Sequence, residues 1–117
     1  MTTLYGISNC DTVRKARKWL ETHEVPFTFH DFRKHGLAEE DLRAWADAAG
    51  WETLLNRRGV TWRKLPEAQR EGVDEARAIA LMLDNPTLIK RPVLVTDDGQ
   101  AHVGFKPGYY ETIFPRG

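Results

Sequence analysis

The chain of 117 residues has one cysteine, Cys10. A single thiol cannot close an internal disulfide, so a disulfide framework is excluded, and so is an all-cysteine zinc site. No apolar run approaches the roughly 20 residues that cross a bilayer. The first residues, Met1-Thr2-Thr3-Leu4, lack the basic and then apolar layout of a signal peptide. A soluble cytoplasmic protein is expected. An excess of one charge sign is missing too: Lys+Arg and Asp+Glu each number 17, for a formal net charge of zero. Global charge therefore offers no hold on nucleic acid or on an anionic membrane. There is no phosphate loop and no nucleophilic-serine motif, and His23, His30, His35 and His102 lack metal-ligand spacing. No bound cofactor and no metal are expected.

What is present is globular. Hydrophobic residues make up 41% and charged residues 29%, enough apolar content at this length to bury a core without staples. Thr3 to Ile7 reads as a short strand. Val13, Ala16 and Leu20 then fall at helical spacing between Asp11 and Glu24. Pro26 separates that helix from a second strand, Phe27 to His30. A strand, a helix and a strand in this order predict a right-handed crossover between parallel strands. His30 and Asp31 end the second strand and read as surface or packing residues.

From Gly36 the pattern turns helical. Ala38, Leu42, Trp45, Ala46 and Ala49 make an apolar stripe closed by Gly50. Trp51 to Leu55 reads as a short helix, Asn56 to Gly59 as a loop and Thr61 to Leu65 as a turn. Asp74 to Leu83 is a helix apolar on most faces, stopped by Pro86. Val93 to Thr96 is a β-branched strand. Asp97-Asp98-Gly99-Gln100 signals a turn, and Ala101 to Gly104 completes a hairpin. Lys106-Pro107-Gly108 starts a last short helix. The apolar helix that ends the middle segment needs a further surface to pack on, so residues 1–117 are read as one domain with a helical insert at roughly 37–85. Trp19, Trp45, Trp51 and Trp62 sit at helical or turn positions suited to packing.

A lone cysteine is most often a small buried hydrophobe. Cys10 sits between a strand and a helix, where unpaired N–H groups and the helix dipole favour thiolate, the reactive form. Arg14, one turn on, can add positive charge. Thr12 can donate to the thiolate, and Asp11 or Thr12 can equally cap the helix. Arg57, Arg58, Arg63 and Lys64 fit a solvated charged face.

A β-α-β…β-β-α order with a cysteine after the first strand and a proline before the third is the thioredoxin layout. Three stretches narrow it: Asn9-Cys10-Asp11-Thr12-Val13-Arg14-Lys15-Ala16, Leu54-Leu55-Asn56-Arg57-Arg58-Gly59 and Leu88-Ile89-Lys90-Arg91-Pro92-Val93. Through them the chain resembles the arsenate reductase (ArsC) family, which draws electrons from glutathione and glutaredoxin, and most of all its YffB subgroup. The Spx transcription regulators, which bind RNA polymerase, are similar too. The resemblance implies an α/β, thioredoxin-like (glutaredoxin-type) fold, a mixed four-stranded sheet with an inserted helical subdomain.

It also implies roles. Cys10 matches the family's nucleophile. Arg91 matches an arginine that holds the oxyanion, beside a Pro92 expected to be cis. A second such arginine matches Arg57 or Arg58 with a shift, and a third falls on Lys106. Lysine keeps the charge there but loses the planar fork, which counts against arsenate as substrate. Thr12 and Arg14 complete the expected binding residues. The position three after Cys10, a second cysteine in many Spx-type proteins, is Val13. The implied function is a thiol reductase whose one cysteine is resolved by an external thiol, glutathione as co-substrate or glutaredoxin as partner, acting on a small-molecule or protein disulfide. A non-catalytic regulator bound to RNA polymerase and a true arsenate reductase are the alternatives.

Overall fold

The computed structural model describes residues 1–115. The chain divides into two compact units, one built from residues 1–36 and 91–115, the other Leu37–Lys90. The first is a four-stranded mixed sheet in the order β2-β1-β3-β4, from β1 (Thr3–Gly6), β2 (Thr28–Asp31), β3 (Val93–Val95) and β4 (Ala101–Val103). β1 pairs parallel with β2 and antiparallel with β3, and β3 pairs antiparallel with β4. Helices α1 (Asp11–Thr22), α2 (Phe32–His35) and α8 (Pro107–Ile113) belong to this unit. This is the thioredoxin-like arrangement, with the helical unit inserted between α2 and β3.

Helix α1 forms where its apolar residues repeat at helical spacing. Val13, Ala16, Trp19 and Leu20 are its buried face. Its end is a Schellman motif. Glu24 takes a left-handed φ of 56°, Glu24 N–H donates to the Glu21 carbonyl at 3.1 Å, and Val25 N–H to that of Leu20 at 2.9 Å. Pro26 then prevents further helix. Ala16, Trp19 and Leu20 pack with Leu4, Leu94 and Tyr110 into one core, joined by Phe27, Phe29, Phe105 and Phe114. Trp19 and Phe105 each meet the Tyr110 ring edge-on, at 5.5 and 4.7 Å between centroids, a favoured aromatic geometry. Gly6, the last residue of β1, lets the helix come this close: a Cβ there would lie 2.8 Å from Val13 Cγ2.

The helical unit contains α3 (Glu39–Ala49), α4 (Trp51–Leu54), α5 (Val60–Lys64), α6 (Glu67–Arg70), α7 (Glu75–Asp84) and a 3₁₀ turn, Pro86–Leu88. Helices α3, α4 and α7 pack on one another, and α7 packs on the 3₁₀ turn. Asp74 caps α7, accepting from Arg77 N–H at 2.9 Å. The unit extends past residue 85 because its last segment pairs with its middle. Asn56 N–H donates to Leu88 at 2.7 Å and Lys90 N–H to Leu54 at 2.8 Å.

The elements depart from the sequence reading in several places. Ala38 precedes α3 and is exposed rather than part of its stripe. Helix α7 buries Ala78, Ile79, Leu81 and Met82 while Ala76 and Ala80 stay exposed; alanines contribute little to burial, so an apolar-looking helix is amphipathic after all. Strand β2 lies one residue later than expected, and α2 and α6 were not anticipated. Four-residue helices are too short to show a period.

Candidate active site

The site is built on the link between β1 and α1. After Gly6 the chain makes one turn, closed by Cys10 N–H on the Ile7 carbonyl at 3.2 Å, with Ser8 and Asn9 at its corners. Cys10 then takes an extended conformation (φ −96°, ψ 126°) as N-cap of α1, and its carbonyl accepts Arg14 N–H at 2.9 Å. Its side chain makes no capping hydrogen bond. Thiols are weak acceptors, so the first amides of the helix are left facing the sulfur rather than consumed by an oxygen.

Cys10 is free and partly exposed. Burial disfavours its thiolate, but the Val13 N–H, the hydrogen bond and charge of the Arg91 guanidinium and the Thr12 N–H together outweigh it. The thiol is held below its ordinary pKa. Arg91 arrives from the chain entering β3. The Arg91–Pro92 peptide is cis, Pro92 is buried, and its carbonyl accepts Gly104 N–H at 2.8 Å. The sheet unit thus brings Cys10, Thr12, Arg91 and Pro92 together.

Other expected residues sit differently. Asp11 and Thr12 lie inside α1, so neither caps it. Thr12 serves the sulfur through its backbone N–H instead. Arg14 turns to the Asp11 carboxylate as an exposed i,i+3 pair, and the guanidinium that reaches the thiol is that of Arg91. Lys106 is the exposed N-cap of α8, its carbonyl accepting Tyr110 N–H at 3.1 Å. In the helical unit Arg57 lies over Trp51 and Trp62, 5.7 and 5.8 Å from their ring centroids. Arg58 is exposed, and its N–H donates to Asn56 Oδ1 at 3.0 Å.

Sequence reasoning missed Asp31. It is 2% exposed, a burial that carboxylates tolerate only when fully bonded. Oδ2 accepts Ser8 N–H at 3.0 Å, while Oδ1 accepts Arg33 N–H at 2.8 Å and Lys34 N–H at 3.2 Å. Desolvation opposes its charge, but the Ser8, Arg33 and Lys34 bonds outweigh that and hold its carboxyl below the usual range. Of the expected surface or packing role, the packing half holds for Asp31 and the surface half does not, because the strand runs one residue further and places it opposite Gly6. An Asp two and three residues ahead of free amides in Phe32-Arg33-Lys34 was the available signal. His30 agrees better with that expectation, packing 5.1 Å from the Tyr5 ring. Among the described residues no three His, Cys, Asp or Glu side chains converge as metal ligands would, and no helix is long and apolar enough to cross a membrane.

Known proteins share this architecture. A sequence model of the ArsC family matches residues 5–113. A solved structure titled YFFB protein superposes with a TM-score of 0.90 at 50% identity, covering 96% of this chain and 97% of its own. The solution structure of an arsenate reductase (ArsC) related protein from Brucella melitensis is 53% identical, with a TM-score of 0.77, covering 98% and 95%. The global transcriptional regulator Spx of Enterococcus faecalis is 30% identical over 99% of this chain and 88% of the regulator.

Proposed function

From the premise that this chain belongs to the ArsC family, we propose that it is a thiol-dependent reductase with Cys10 as nucleophile. The observation that carries this reading is the environment of Cys10: an N-cap with no side-chain acceptor, two helix amides aimed at the sulfur, and the Arg91 guanidinium beside it. The thiolate attacks one sulfur of a disulfide. A new S–S bond forms to Cys10, the old one breaks, and its second sulfur leaves as thiolate. With no other cysteine in the chain, the adduct is resolved by an external thiol. That thiol attacks the mixed disulfide, frees Cys10 as thiolate and carries the oxidising equivalent away. Glutathione is the fitting co-substrate, since its carboxylates suit the Arg91 guanidinium beside the thiol. Mass spectrometry after exposure to oxidised glutathione tests this. One glutathione on Cys10, released by excess reduced glutathione, is expected; no adduct at neutral pH would sink the reading.

The Spx likeness favours a second reading, a regulator that binds RNA polymerase through a surface apart from the thiol. Pull-down with the polymerase α subunit separates the two. A regulator binds equally as wild type and as Cys10→Ser. Arsenate is the weaker substrate for the reductase, because a lysine stands at residue 106 and asparagine at 56, so fewer planar forks are on hand for an oxyanion.

A further inference from the structure

We infer that Asp31 is a positioning residue for Cys10, acting through the Ser8 N–H to fix the turn that aims the thiol; this rests on the reductase reading above. One buried carboxylate joins two structures. Its Oδ1 holds the first amides of α2, and its Oδ2 holds the turn between β1 and Cys10. That turn has few other ties. Cys10 N–H closes it on Ile7, and the Ser8 corner is tied to Asp31 by its N–H and its hydroxyl. Asp31 is itself fixed by pairing opposite Gly6, the residue that opens the turn, and its own N–H donates to His35 Nδ1 at 3.3 Å. The carboxylate is therefore anchored by strand and helix alike, and Ser8 is the partner that it holds. A helix capped by its own amides would not need a charge buried at 2% exposure; an exposed Ser or Asn caps as well. The extra contact to Ser8 is what the buried charge adds.

The geometry has a functional consequence. The Val13 and Thr12 amides act on the sulfur only while Cys10 keeps its N-cap conformation, and charge-assisted bonds weaken steeply with misalignment. Slackening the turn lets the thiol swing off those amides. The groups around Asp31 are Ser8 from the turn, the Arg33 and Lys34 amides and the His35 ring from α2; those around Cys10 are the α1 amides, the Asp11–Arg14 pair and Arg91.

The test is the pH dependence of Cys10 alkylation by iodoacetamide in the full chain. Ser8→Pro removes both Ser8 donors to Asp31, the N–H and the hydroxyl, at a corner position that proline favours; neither Ser8 nor Asn9 has a positive φ. Ser8→Ala keeps the N–H and loses only the hydroxyl bond to the carboxylate. Asp31→Ser keeps a cap for α2 but cannot also reach Ser8. For Ser8→Pro and Asp31→Ser the alkylation midpoint is expected to rise toward that of a free thiol, and the rate at neutral pH to fall about three- to tenfold. Ser8→Ala, which keeps the backbone tie, is expected to move the midpoint less than Ser8→Pro does. Ile113→Ala, at the last residue of α8, serves as a destabilised control whose midpoint stays put. An unmoved midpoint in both variants, with wild type still below a free thiol, overturns the inference and leaves the reductase reading standing. A midpoint that falls in Asp31→Ser means that Asp31 acts only as a repelling charge, and overturns it too. A wild-type midpoint at the free-thiol value defeats both readings at once.

Discussion

The starts of α1 and α2 share a backbone and differ in what they put on it. Cys10 sits at φ −96°, ψ 126°, and Asp31 at φ −88°, ψ 118°. Asp31 fills its helix end: a charged oxygen takes the amides that the helix leaves unpaired. Cys10 leaves its own end open, with a sulfur that makes no capping bond. The first arrangement spends the field of the amides on stability. The second keeps it for a thiolate. An open start is common in this chain, at Ala38, Gly50 and Lys106 as well; what sets α1 apart is that the residue at its open start is a thiol with the Arg91 guanidinium beside it.

The sharpest way to break the contrast is to make α1 begin as α2 does. Cys10→Asp is expected to abolish glutathione adduct formation and all reductase activity. It should also stabilise the protein by about 0.5–2 kcal/mol, since a carboxylate satisfies the free amides. Chemical denaturation together with the adduct assay checks both halves. Loss of activity with loss of stability would mean that the start of α1 was never an open cap.

Asp31→Asn attacks the other side. The amide cannot bond Ser8 and the α2 amides as a charged acceptor, and hydrogen bonds to charged groups are worth about 1.5–3 kcal/mol. A loss of about 2 kcal/mol at neutral pH is expected. The folded-state pKa of Asp31 lies below its unfolded value, so its contribution is complete above the unfolded carboxylate range and is lost as pH falls through the folded pKa. Wild type and Asp31→Asn should therefore converge in stability on acidification. A gap that widens in acid would have the wrong sign.

Much of this contrast was legible in the residues. The order of strands and the helix after Cys10 follow from periodicity and from Pro26, Gly50 and Pro86, each of which stops an element for a local reason. Arg91 and Pro92 were found by resemblance and not by spacing, because nothing local to Lys90-Arg91-Pro92 says that the chain returns to Cys10. Asp31 was read only in part, for a different cause. A β2 read as ending at His30 leaves the aspartate outside the strand, and the amides of Arg33 and Lys34 that it caps belong to a helix too short to announce itself by period. Arg14 was less legible, because one turn along a helix looks adjacent in sequence while its side chain pairs with the nearer Asp11.

Arg91 is where the open end gains its cation. Arg91→Ala is expected to raise the thiol pKa, since the largest opposing influence, burial, would then meet only the two amides. Affinity for glutathione should fall about tenfold, the worth of one charge-assisted bond. Arg91→Lys should recover most of the thiolate but less of the binding, because an ammonium lacks the fork. Isothermal titration of a Cys10→Ser background measures binding without chemistry. Unchanged affinity would remove Arg91 from the ligand site.

The smallest effect belongs to the helical unit, where Arg57 and Arg58 compete for one role. Arg57 is steadied by two indole faces, whereas the described contact of Arg58 runs through its backbone, to Asn56. A side chain already ordered loses less entropy on binding an anion than one still free. Arg57→Ala is therefore expected to weaken glutathione binding more than Arg58→Ala does. Trp62→Ala, which removes one face and no charge, should reproduce part of the Arg57 effect, about 0.5–1 kcal/mol or two- to fivefold in affinity. Equal losses for Arg57→Ala and Arg58→Ala, with no change for Trp62→Ala, would mean that charge alone counts in this unit. The ordered cation of the helical unit would then bear no likeness to Arg91.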